Sequence, residues 1–101
     1  MGSEDKVSVS SIVVAVKDQV SCDLAGESVI LHLKSGVYYG LNSLGTRIWN
    51  LIQDPVSVDE VRAILVKEYD VEPQRCERDL MALLQQLADA GLVKIKAKRD
   101  G

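Results

Sequence analysis

His32, Cys22 and Cys76 are the residues of this chain best suited to proton transfer, nucleophilic attack or metal binding. Their spacing supports none of these. A catalytic histidine needs a nucleophile or an orienting carboxylate beside it. Asp23, on what reads as a neighbouring strand, is the one acid placed to reach His32, and a hydrogen-bonded surface pair is the simpler reading. The cysteines are far apart in sequence, and there is no CxxC, HExxH or Cys/His cluster from which to build a zinc or iron–sulfur site. Cys76 falls on an apolar helical stripe, as a small core residue would. No catalytic residue, metal or cofactor is expected, and the chain does not read as an enzyme.

The composition carries the same message. Hydrophobic residues make up 47% of the 101 positions and charged residues 27%, which suits one globular domain. There is no Phe, one Trp and three Tyr, so the core must be aliphatic, with Trp49 as an anchor. Twelve basic residues face fifteen acidic ones, a net charge of −3 that argues against general binding to nucleic acid or acidic membranes. No apolar run approaches the roughly 20 residues that a membrane span needs. The polar start, Met1-Gly2-Ser3-Glu4-Asp5-Lys6, lacks a hydrophobic signal segment and is expected to fray. Two unpaired cysteines then fit a cytoplasmic protein with reduced thiols.

The first half reads as strands. Residues 1–19 form an N-terminal segment, partly flexible and able to add a strand through Ile12-Val13-Val14-Ala15-Val16. Residues 20–95 form the domain, and residues 96–101 a solvated basic tail. Residues 20–24 alternate apolar and polar, as a half-buried strand does. A turn at 25–27 leads to a strand at 29–33, a three-residue loop Lys34-Ser35-Gly36, and a return strand at 37–41. That loop length pairs Leu33 with Val37, Leu31 with Tyr39 and Val29 with Leu41. All six side chains then share one apolar face, with Ile30, His32, Tyr38 and Gly40 opposite. The helices that follow are the expected cover for the apolar face.

The second half is helical. Asn42 caps a helix to about Gln53 with Leu44, Ile48, Leu51 and Ile52 on one stripe, and Asp54-Pro55 ends it. Ser57 and Glu60 have the spacing of a capping box for a second helix through Val61, Leu65 and Tyr69. A third helix starts near Pro73 and ends at Gly91, with Cys76, Leu80, Leu83, Leu84 and Leu87 inward. Leu92-Val93-Lys94-Ile95 either adds a short strand or packs its apolar residues. The expected class is α+β: a three-stranded antiparallel β-meander followed by three helices, resembling a winged helix-turn-helix.

In a meander the strand at 37–41 is an edge, and it carries neither charge nor proline. Proteins usually blunt such edges. Either another part of the chain covers it, a helix or the N-terminal segment, or it is open to accept a strand from a partner. Helix-turn-helix spacing also raises DNA binding. Against it, the third helix mixes Arg75 and Arg78 with Glu77, Asp79 and Asp89, and the clearest basic cluster is the tail.

The ordered set Gly36-Val37-Tyr38-Tyr39-Gly40-Leu41-Asn42, Gly45, Ile48-Trp49, Leu51, Pro55, Ser57, Glu60, Leu65, Tyr69, Asp79, Leu83, Leu87 and Ala90-Gly91-Leu92 resembles the PqqD-like family over roughly residues 20–93. The glycine- and tyrosine-rich pieces look most like the stand-alone recognition proteins of lasso-peptide pathways. The resemblance implies a module that binds the leader segment of a ribosomally made precursor peptide. The leader would add as a strand to the third strand and lie in the cleft beside the third helix. Implied partners are that leader, a leader peptidase and a cyclase; neither nucleic acid nor membrane is implied, and the protein would be a monomer or weak dimer. The implied leader-binding residues are Val37, Tyr38, Tyr39, Gly40 and Leu41 on the strand, with Arg75, Arg78, Asp79, Ala82, Leu83 and Gln86 on the helix.

Overall fold

The computed structural model describes residues 7–24 and 27–96. The expected fraying of residues 1–6, the turn residues Ala25 and Gly26, and the tail beyond Lys96 lie outside the described residues. In chain order the elements are β1 (Ile12–Ala15), β2 (Gln19–Leu24), β3 (Glu27–His32), β4 (Tyr38–Leu41), α1 (Ser43–Leu51), β5 (Val56–Ser57), α2 (Val58–Tyr69), α3 (Pro73–Asp89) and β6 (Val93–Lys96). The fold is α+β, with antiparallel strands and three helices. The likeness to a winged helix is loose, because the strands form two separate sheets.

The meander is present as the antiparallel order β2-β3-β4. The second sheet has the order β5-β1-β6 and ties the N-terminal segment to the end of the domain. Val13, at its centre, is fully buried between Val56 and Ile95 on the flanking strands. Leu92-Val93-Lys94-Ile95 thus contributes to a strand. Val7 adds a further tie, its backbone N–H donating to Gln85 Oε1 of α3 at 2.9 Å.

The meander register differs from the expected one by one residue. Leu31 pairs with Tyr38, Ile30 with Tyr39, Val29 with Gly40 and Ser28 with Leu41. The turn closes as His32 N–H donates to Val37 O at 3.0 Å and Gly36 N–H to His32 O at 2.8 Å. Leu33 therefore joins Lys34, Ser35 and Gly36 in a four-residue loop, with Gly36 at φ +72°. A one-residue slip inverts a strand's faces. Ile30, not Leu31, lies in the core, beside the buried Ser28 and Leu41. Val29, Leu31 and Leu33 turn away from it. The pattern misled because β3 has apolar residues on both faces, and only the loop length could break the tie.

The helix signals hold. Asn42 Oδ1 accepts Gly45 N–H at 2.9 Å and caps α1, while Ser57 Oγ accepts Glu60 N–H at 3.1 Å and caps α2. Glu60 also meets the Ser57 hydroxyl with its carboxylate, at 3.5 Å. The core is aliphatic around Trp49, with Ile52, Val61, Leu65, Leu80, Leu84, Leu87 and Leu92 buried. Leu44 departs from its expected inward stripe and is exposed. Gly91, at φ +80°, terminates α3 beside the His32 ring, in a backbone conformation that strains any residue with a side chain.

Candidate functional site

The edge of β4 is free among the described residues. The N-terminal strand β1 pairs with β5 and β6, so the N-terminal segment is not laid on β4, and Tyr38 and Gly40 along the edge are exposed. Antiparallel ladders alternate between residues bonded inward to the neighbour and residues whose backbone groups point away. Since His32 and Val37 form a bonded pair, Tyr39 and Leu41 fall in the same class and bond to β3. The N–H and C=O groups of Tyr38 and Gly40 then face outward along the edge. Gly40 has nothing within 4 Å of where a side-chain carbon would stand.

Beside this edge lies a cleft of about 890 Å³ with largely apolar walls. Among its lining residues are Gly40, Leu41, Arg75, Asp79 and Leu83, all expected from the sequence. α3 builds this wall through its 3.6-residue repeat: Leu80, Leu84 and Leu87 anchor it to the core, which turns Arg75 and Asp79 toward the opening with Leu83 beside them. Tyr39 and Gln86 also meet, the Tyr39 hydroxyl donating to Gln86 Oε1 at 3.2 Å across the space between β4 and α3. Val37 and Tyr38 are exposed on the strand. Arg78 and Ala82 are exposed on α3 and lie outside the cleft lining.

The sequence reading missed much of the remaining wall. It includes Leu44 and Gly45 at the start of α1, Ile48 below them, and Tyr69 and Val71 around the α2–α3 turn. Leu44, Tyr69 and Val71 are all substantially exposed apolar side chains. The signal available was Tyr69-Asp70-Val71 itself: two large apolar residues flanking a helix end, with Asp70 in the left-handed conformation at φ 53°. Cys76 also lines the cleft, and partial burial raises its thiol pKa. Arg62 opposes that rise and Asp79 adds to it.

The residues considered for chemistry do not converge. Asp23 accepts from Ser28 Oγ at 2.7 Å, whereas His32 Nδ1 is 2.8 Å from Ser35 Oγ. In the ladder Asp23 stands opposite Ser28 and His32 opposite Gln19, so the Asp23–His32 pair is excluded by register. Among the described residues no group of three or more His, Cys, Asp or Glu side chains could hold a metal ion. No described helix is long and apolar enough to cross a membrane.

The comparisons converge on one family. A family model described as coenzyme PQQ synthesis protein D (PqqD) matches residues 27–93. Among solved structures, TbiB1 in complex with the TbiA(beta) leader peptide is 33% identical; the match covers 86% of this chain and 99% of that one, with a TM-score of 0.74. A lasso peptide synthetase B1 complexed with its leader peptide is 28% identical, with 81% and 96% covered and a TM-score of 0.72. The PqqD truncation of Methylobacterium extorquens PqqCD, a stand-alone recognition element for ribosomally synthesised and post-translationally modified peptides, matches in fold. Its TM-score is 0.75 over 89% of this chain and 96% of that one, at 18% identity. No curated protein matches.

Proposed function

The chain belongs to the PqqD family, and we propose that it binds the leader segment of a ribosomally synthesised precursor peptide and presents it to modifying enzymes. The pathway we assign is lasso-peptide biosynthesis, with a leader peptidase and a cyclase as the enzymes served, in the cytoplasm. The protein itself contributes recognition and no catalytic step. The observation that carries this reading is the unpaired β4 edge set against an apolar cleft whose far wall is α3. Main-chain bonds along such an edge supply affinity, and side-chain pockets beside it supply selectivity. The two relatives solved with leader peptides, at 33% and 28% identity, support it.

In this reading the leader runs antiparallel to β4 and bonds to Tyr38 and Gly40. Alternate leader side chains enter the cleft against Leu83 and Leu41. Arg75 and Asp79 meet polar or charged leader groups at the mouth, while Arg78 and Ala82 make outlying contacts. Tyr39 and Gln86 frame the strand-to-helix gap. A DNA-binding role gains nothing from this geometry, since α3 presents Asp79 beside Arg75 rather than a continuous basic face.

Amide hydrogen exchange tests the strand pairing directly. Saturating the protein with a synthetic cognate leader should slow exchange at Tyr38 and Gly40, whose N–H groups are free. Tyr39 and Leu41, already bonded to β3, should change little. Saturable leader binding without protection at Tyr38 and Gly40 would sink the strand-addition reading.

A further inference from the structure

A second recess, of about 860 Å³, opens beside the loop that leads into β4. Lys17, Lys34, Lys94 and Lys96 line it, against Asp18 and Asp54. The fold gathers these lysines from three stretches of chain. On β6, Val93 is buried, so Lys94 and Lys96 project from the opposite face, in register with Val14 and Ile12 of β1. Lys17 follows β1 directly. Leu33 N–H donates to Asp18 O at 3.0 Å, which ties the Lys34 loop to the Lys17 turn. Gly91 brings the end of α3 against His32 at the same recess. Among the described residues none of the four lysines is ion-paired; the pairs found there are Arg47–Glu68 and Arg62–Asp59. In a chain of net charge −3 this is a local excess of positive charge, and such an excess attracts an anionic partner.

We infer that this recess receives acidic residues of the precursor peptide, on the stretch just C-terminal to the segment that adds to β4. The inference rests on the proposed leader binding, and strand polarity selects the occupant. β4 runs from Tyr38 to Leu41. A leader antiparallel to it enters at the Leu41 end, beside the apolar cleft, and leaves at the Tyr38 end. The loop Leu33–Gly36 lies at that exit, and its Lys34 borders the recess. Extended chain at about 3.3 Å per residue reaches the recess within roughly four to eight residues of the exit. The strand pairing itself therefore delivers this peptide to the lysines. Gln19 Oε1 is buried in the recess wall with no hydrogen-bond partner among the described residues. A peptide brings backbone N–H groups to such an acceptor and carboxylates to the lysines. An inorganic anion brings acceptors only.

The four lysines are exposed, so each contact is weak and screened by salt. The recess therefore adds to an anchor made elsewhere. It favours precursors whose chain is acidic past the paired strand, and it fixes the direction in which that chain leaves the domain.

The test uses the full chain and three fluorescent synthetic peptides taken from the precursor encoded beside it. One is the strand-adding segment alone. The second continues it by its next eight native residues, and the third carries Asn and Gln in place of every Asp and Glu of that continuation. By fluorescence anisotropy at low salt, the second should bind at least fivefold more tightly than the first, and the third should lose that gain. The gain should also shrink as salt rises. The double variant Lys17→Gln/Lys94→Gln, away from the β4 edge, should bind the strand-adding segment within twofold of the parent and gain nothing from the continuation. Amine-reactive footprinting of the parent supplies a readout free of variants: the second peptide should protect Lys34 and Lys94, and the first should not. A continuation that is not acidic, or one that tightens binding equally in the parent and the double variant, would overturn the proposal. So would equal protection of these lysines by millimolar inorganic phosphate, which makes the recess a general anion site. A strand-adding segment that binds but gains nothing from its continuation overturns this inference alone. Failure of that segment to bind at all overturns the leader-binding reading as well.

Discussion

Asp79 and Arg75 sit on successive turns of α3 at the mouth of an apolar cleft, and that placement sets what each can do. Neither is needed by the fold, so Asp79→Lys should leave the melting temperature nearly unchanged. It should weaken leader binding about tenfold, an effect of the size expected when one charge-assisted contact is lost, readable by calorimetric titration. Tyr39→Phe removes the hydroxyl that donates to Gln86 Oε1. The bond is near solvent, so the change should cost at most about 1 kcal/mol in denaturant unfolding. The two thiols offer an internal control. Cys22 is exposed, whereas Cys76 is partly buried with a raised pKa. Iodoacetamide at neutral pH should modify Cys22 first, and leader should protect Cys76 in the cleft. Arg47 holds the Glu68 carboxyl below its ordinary range through a bidentate contact at 2.7 and 3.0 Å. A depressed carboxyl pKa stabilises the fold above the unfolded-state value, and that contribution is lost as acid protonates Glu68. Both groups face solvent, so Arg47→Ala should shift stability only slightly and only above the acid range.

At the scale of elements, the helices were legible and the strand register was not. Each helix start carries a local signal: Asn42 and Ser57 cap through their own side chains, and Pro73 fits the first turn of α3. Such contacts lie within three residues, so no distant information is needed. Asn42→Ala should destabilise the domain by about 1 kcal/mol and loosen α1 at the cleft wall, measurable by urea unfolding. Gly91→Ala forces a side chain to φ +80° and should cost at least as much. The register of β3 on β4 depends on whether Leu33 belongs to the strand or to the loop. Both faces of the pair are apolar, so composition could not choose between them. The choice was made by α1, which packs onto the Ile30 side. The open β4 edge, by contrast, was legible as one of two alternatives, and the pairing of β1 with β5 and β6 removed the strand-covered one.

For the whole molecule, the division of labour follows from which surfaces are used internally. The second sheet and the inward faces of α2 and α3 close an aliphatic core around Trp49. Leu84 is fully buried there, and Leu84→Ala should cost about 2–5 kcal/mol and melt cleft and core together. What remains outside is a free edge, a cleft and a lysine-lined recess, surfaces suited to peptide rather than to small-molecule chemistry. By itself, the sequence determined the aliphatic core, the three helices, the poverty of catalytic side chains and the family motif. Through that family resemblance it also pointed to five of the cleft-lining residues, Gly40, Leu41, Arg75, Asp79 and Leu83. These are properties of local patterns and of residue types. Only the tertiary structure decided that Ile30 rather than Leu31 enters the core and that Leu44, Tyr69 and Val71 turn outward to wall the cleft. It alone brought lysines from distant stretches of chain to one recess. Each of those outcomes depends on which distant element packs against a strand or helix, and no short stretch of chain carries that information.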